Sequence, residues 1–266
     1  MNKEIQVLRA IAILMVLFVH TGSVFPEKYF WIYTKLDGVF HTNIGVELFF
    51  VIAGYFLACS LDKYKDKSNT ALTDLISFGA KKVKRLYKPV YFWAAVPFIM
   101  SVLTGNADIW LNPSLALQKM IATFSWVRNI EESGRESIFG YFWAVSLEFQ
   151  AFIVYAAAYF FIGKKNAVKV SALICMLMLF WRPGGAHFWW FRFDPILYGV
   201  ILQYVVKNYG DLNEISKKLN ASKNVKIFVS AMLTLCLAAT FNYSKQFVFA
   251  VPPGRTHECL VFERYG

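Results

Sequence analysis

The stretch RAIAILMVLFVH, Arg9 to His20, sets two ionisable residues at the ends of ten uncharged and almost wholly apolar ones. With its flanks, such a run approaches the length of about 20 residues that a membrane-crossing helix needs. On a helix of about 3.6 residues per turn, the steps from Arg9 to His20 rotate by about 1100°, so the two side chains share one face. They stand about 16 Å apart along the axis and do not touch. A charge at membrane depth costs several kcal/mol unless it faces the bundle interior or a wet cavity. The stripe is therefore expected to line a polar passage. Read singly, Arg9 also suits a snorkelling side chain that fixes topology, and His20 suits an interfacial position. The intrinsic pKa of histidine suits it equally to proton transfer.

The rest of the chain extends the membrane reading. Of 266 residues, 57% are hydrophobic and only 17% charged, far too apolar for an ordinary soluble domain. Seven candidate spans lie near 7–25, 44–61, 90–104, 141–162, 167–181, 194–206 and 226–250. The third and sixth are short. Arg9 inside the first apolar run, with no A-x-A site after it, argues for a retained helix rather than a cleaved signal. The formal net charge of +11 would point to nucleic acid in a soluble protein. Here its distribution matters more, and no nucleic-acid partner is expected. With the N-terminus cytoplasmic, 18 of the 28 basic residues fall in cytoplasmic segments. The opposing loop, about 105–140, instead carries Lys119, Arg128 and Arg135 against Asp108, Glu131, Glu132 and Glu136.

Several chemistries find no support. Cys59, Cys175, Cys236 and Cys259 show no ligand spacing and read as small packing residues. His20, His41, His187 and His257 form no HxxxH pair, and no phosphate-loop glycine motif occurs. No metal site is expected.

Further motifs then align with a known group. R-x10-H in the first helix, followed by GVELFFVIAGYFL (45–57), resembles the opening of the acyltransferase 3 family of membrane O-acyltransferases. KKVKRLYKP (81–89) resembles its basic cytoplasmic motif, and FWAVSLEFQAF (142–152) resembles its W-S-x-E-x-Q-F segment. FRFDPILYGVIL (191–202) resembles its R-F-D-x-x-x-x-G helix. These matches come in the family's order over about residues 5–206.

The resemblance implies an all-α polytopic bundle in the bacterial inner membrane. It implies transfer of an acyl group, usually acetyl, from cytoplasmic acetyl-CoA to a hydroxyl of an envelope polysaccharide or lipid-linked sugar. Within it, His20 suits a general base or a covalent nucleophile. Arg9 suits an anionic donor or a developing oxyanion. Glu148 would orient His20 or a basic residue, or make a structural interhelix bond. Lys82 and Arg85 match the family's R-x-x-R with lysine first, and would hold coenzyme A phosphates. The run around them also reads as an anchor on anionic lipids, with Lys81, Lys84, Arg85 and Lys88 as one helical stripe. Arg192, Asp194 and Glu47 are acceptor-side candidates, with a plain salt bridge between Arg192 and Asp194 as the alternative.

Two departures stand out. Ala53-Gly54 occupies the position where the family usually has Ser-Gly, which leaves close packing as the role of Gly54. The family typically has about ten spans, so seven spans describe a C-terminally short member, with a domain over 1–250 and an atypical tail over 251–266 such as truncation or a frame change would leave. Two rival readings follow: a transporter or flippase for a lipid-linked sugar, since intramembrane Arg, His and Glu also mark transport pathways, and an inactive fragment.

Overall fold

The computed structural model describes residues 3–21, 26–40, 44–64, 70–131, 141–180 and 192–209. Among them the chain is helical throughout: α1 (Lys3–Thr21), α2 (Phe30–Phe40), α3 (Ile44–Leu61), α4 (Ala71–Thr104), α5 (Ala107–Trp110), α6 (Pro113–Phe124), α7 (Arg128–Glu131), α8 (Phe142–Ile162), α9 (Lys164–Phe180) and α10 (Asp194–Tyr209). Short 3-10 turns precede α2 and follow α3. Three helical segments are long and apolar enough to cross a membrane: Ile44–Tyr64, Ala71–Thr104 and Phe142–Ile162. The fold is an all-α bundle of membrane-spanning type. Outward-facing Leu14, Phe92, Trp93, Leu103 and Val154 are more than half exposed, as a lipid-contacting surface requires.

Six of the seven expected spans fall on helices, and the seventh, near 226–250, lies outside the described residues. The third needs correction. It is the second half of the 34-residue α4, which begins at Ala71 rather than near residue 90. Thr70 caps it by accepting from the Thr73 amide at 3.3 Å, and Gly105, with φ 62°, closes it onto the Ser101 carbonyl. Pro89 and Pro97 lie inside without ending it. Each removes one backbone bond, which neighbouring helices allow in a packed bundle. The basic motif and the third span are thus one continuous rod.

The described part of the segment read as an outer loop is also folded. Pro113 starts α6 at a position where its missing amide costs nothing. Helices α5 and α6 pack on α4, and α7 packs on α6 and α8. Inside this cap Tyr91 stacks on Phe124 at 4.2 Å between centroids, and Trp126 on Phe149 at 4.5 Å. Arg128 is fully buried and reaches Glu131 at 3.2 Å, with Lys119 at 3.7 Å from the same carboxylate.

α3 is the central element. It meets α1 at Gly45, where an added Cβ would lie 2.7 Å from Met15 Cβ. It meets α8 through Phe50, set edge-on to Trp143. Its closest partner is α10. A Cβ on Gly54 would fall 2.8 Å from the Ile196 carbonyl carbon, and one on Gly199 2.7 Å from the Tyr55 nitrogen. Carbon atoms pack at about 3.5–4.0 Å, so the two backbones approach to a distance only glycine permits. Phe50, Leu57, Phe152, Tyr155, Ile196 and Val200 complete the core around this crossing.

Candidate functional site

Residues of three motifs converge on one carboxylate. Glu148 lies in the second turn of α8, partly buried. The charges acting on it are those of Lys82 and Arg85 from α4 and Arg9 from α1. A lone carboxylate inside an apolar span is costly, and the cations of α4 and α1 offset part of that cost. The Lys82 ammonium is turned into the bundle, 5.3 Å from the centre of the Phe78 ring and 4.6 Å from that of Phe152. Phe152 stands one turn beyond Glu148 on nearly the same face, so Lys82 is aimed at the side of α8 that carries the carboxylate. Lys81, Lys84, Arg85 and Lys88 are exposed along α4, as their spacing of three or four predicts. Lys82, about 100° further round than Lys81, is the member of the run that faces inward.

The remaining candidates sit elsewhere. His20 is exposed in the last turn of α1, about 16 Å along the helix axis from Arg9. Arg192, immediately before α10, forms an ion pair with Glu47 in the first turn of α3. Glu47, remote in sequence, is brought to Arg192 by the α3–α10 crossing. Asp194 is itself buried, and its carbonyl accepts from the Cys175 thiol at 3.9 Å.

Asp62, just past the end of α3, was not legible as a hub. Its carboxylate accepts from Lys164 at 2.8 Å on both oxygens, from Lys207 at 2.7 Å, from Gln203 at 3.1 Å and from Tyr159 at 3.3 Å. One acid thereby gathers α8, α9 and α10 at the end of α3 opposite to Glu47. Its only sequence signal was a carboxylate directly after the apolar run ACSL. Gln150, the glutamine of the W-S-x-E-x-Q-F segment, carried no assigned role in sequence, and pairs through its amide with Asn129 on α7. Among the described residues no three His, Cys, Asp or Glu side chains group as a metal site would require.

A bundle of membrane-spanning helices in which cations of α4 and α1 act on a carboxylate of α8 defines a membrane protein with a charged interior site. The sequence model of the acyltransferase domain matches residues 2–255, nearly the whole chain. The chain belongs to that family, the acyltransferase 3 family, and is a membrane acyltransferase. Comparison with curated proteins and with solved structures finds no match.

Proposed function

We propose that this chain is an O-acyltransferase of the bacterial inner membrane that moves an acetyl group from cytoplasmic acetyl-CoA to a hydroxyl of an envelope polysaccharide or lipid-linked sugar. The observation that carries the reading is the family match over residues 2–255, with Glu148 set among Arg9, Lys82 and Arg85. With the N-terminus cytoplasmic, the Asp62 hub lies toward the cytoplasm and the Glu47–Arg192 pair toward the opposite side. Arg85, exposed on α4, and Lys82, inside it, are the groups that hold the donor's phosphates, with the guanidinium giving fixed, paired donors and the ammonium a point charge. Arg9 stabilises negative charge at the thioester or on the oxyanion that develops from it. His20 takes the proton from the acceptor hydroxyl, or carries the acyl group between the two substrates. Arg192, Glu47 and Asp194 bind the acceptor, and Glu148 holds the cations of the donor side in register.

The test expresses the chain and its His20→Ala variant at matched membrane levels and quantifies ester-linked acetate on envelope glycans by mass spectrometry. Acetate that rises with the parent and falls by about 10²- to 10⁴-fold with the variant is the expected result for loss of an acid–base group. Glycan that changes side without gaining mass would favour a transporter. No acetate from either protein would remove acyl transfer by this chain.

A further inference from the structure

Gln150 belongs to the same sequence motif as Glu148 but makes its bonds in another direction. Both hydrogens of its amide are donated, one to the Trp126 carbonyl at 2.7 Å and one to Asn129 Oδ1 at 2.9 Å. Its oxygen accepts from Asn129 Nδ2 at 3.0 Å. Asn129 is wholly buried, so the exchange is shielded from competing solvent. The turn that receives these bonds is itself strained. Trp126 has φ 58°, in the left-handed region where bulky side chains are rare. Such a conformation persists only where its surroundings over-determine it. Here the Gln150 bond, the stacking of Trp126 on Phe149 and its contact with Tyr91 do so.

The geometry of α8 turns this lock into a positional device. Residues two apart on a helix point about 200° from one another, so Gln150 faces α7 while Glu148 faces nearly the opposite way, toward the cations of α4 and α1. Rotation of α8 about its axis would break three hydrogen bonds at Gln150 and swing Glu148 away from Lys82. We infer that Gln150 is a positioning residue: by clamping α8 to the Trp126–Asn129 turn it fixes the direction of Glu148, and it couples the α5–α7 cap to the donor side of the site. The inference rests on the acyl-transfer reading for its catalytic consequence, and on the geometry alone for its structural one.

Two measurements on the full chain separate these. In a version whose four cysteines are replaced by alanine, Lys82→Cys and Glu148→Cys are linked with a short bismaleimide, with and without Gln150→Ala. The linked fraction is expected to fall when Gln150 is truncated, and to recover in the exchanged pair Asn129→Gln with Gln150→Asn, which keeps the combined side-chain length. In parallel, acetyl transfer is measured for Gln150→Ala, Asn129→Ala and the double variant, per molecule of folded protein. Each single variant is expected to lower kcat by about 10- to 100-fold, the scale of a small misplacement of reacting groups, and to raise the donor KM, because Glu148 no longer holds Lys82 and Arg85 in register. The double variant should be no worse than either single one, because both remove the same clamp. Unchanged cross-linking in Gln150→Ala overturns the inference whatever the activity. Altered cross-linking with unchanged kcat overturns its catalytic half. A parent without transfer refutes the acyl-transfer reading, and the cross-linking still decides whether Gln150 orients α8.

Discussion

Replacing Gly54 with alanine tests the central packing claim of the fold. The added Cβ would lie 2.8 Å from the Ile196 carbonyl carbon and closer still to its oxygen, against an ordinary carbon–carbon separation of about 3.5 Å or more. The α3 and α10 backbones must part by at least about 0.7 Å to admit it. Neither side can yield by a rotamer change, since the obstruction is main chain. Overpacking costs typically about 1–3 kcal/mol, and rigid walls place this site at the upper end. Alanine returns about 0.5–1 kcal/mol of helix propensity, so the net loss is about 2 kcal/mol. For a chain of this size that lowers the Tm by about 4–8 °C. The assay is thermal unfolding in detergent, followed by tryptophan fluorescence. Gly79→Ala is the control, because its new Cβ would meet only the tip of Ile153 at 3.3 Å, a group that can rotate away. It has the same gain in propensity and should leave the Tm within about 3 °C of the parent. A Gly54→Ala protein as stable as Gly79→Ala would refute the argument that backbone contact governs this crossing. Gly199→Ala added to Gly54→Ala should cost less than it does alone, because the helices are already apart.

Asp62→Asn leaves the ammonium groups of Lys164 and Lys207 facing one another without their shared anion, and should destabilise the protein by about 3 kcal/mol, as loss of one member of a largely buried ion pair does. Lys207→Ala, whose side chain is 56% exposed, should cost less than about 1 kcal/mol; chemical unfolding in detergent compares the two, and equal losses would deny Asp62 its role as the hub. For Glu47 and Arg192, a double-mutant cycle with Glu47→Gln and Arg192→Gln should return a coupling of about 1 kcal/mol at these partly exposed positions. Additive losses would show that the pair does not join α3 to α10.

Much of this molecule was written in local chemistry. The run from Arg9 to His20, the apolar stretch after Glu47 and the W-S-x-E segment each report the solvent they require, because burying or exposing a side chain is a property of the residue and its period along a helix. Membrane class and most helix positions were therefore readable one segment at a time. The start of α4 was not, because a helix that is amphipathic from Ala71 and apolar after Val90 changes pattern without changing structure. The cap of α5–α7 escaped for another reason: α5 and α7 are single turns of four residues, too short to show a period, and Lys119 and Arg128 look like surface residues until neighbours enclose them.

Partnership was decided by the fold. The sequence determined that Glu148, Lys82, Arg85 and Arg9 are ionisable groups too close to apolar spans to be ignored, and that Gly54 needed a packing explanation. Only the tertiary structure set Lys82 inward over Phe152, gave Arg192 to Glu47, made Asp62 the meeting point of the chain's helix ends, and locked Gln150 against Asn129. Each of these contacts depends on the rotation and separation of whole helices, and those are fixed by packing at positions such as Gly54 and Gly199, which lie about two turns along their helices from the charges they align.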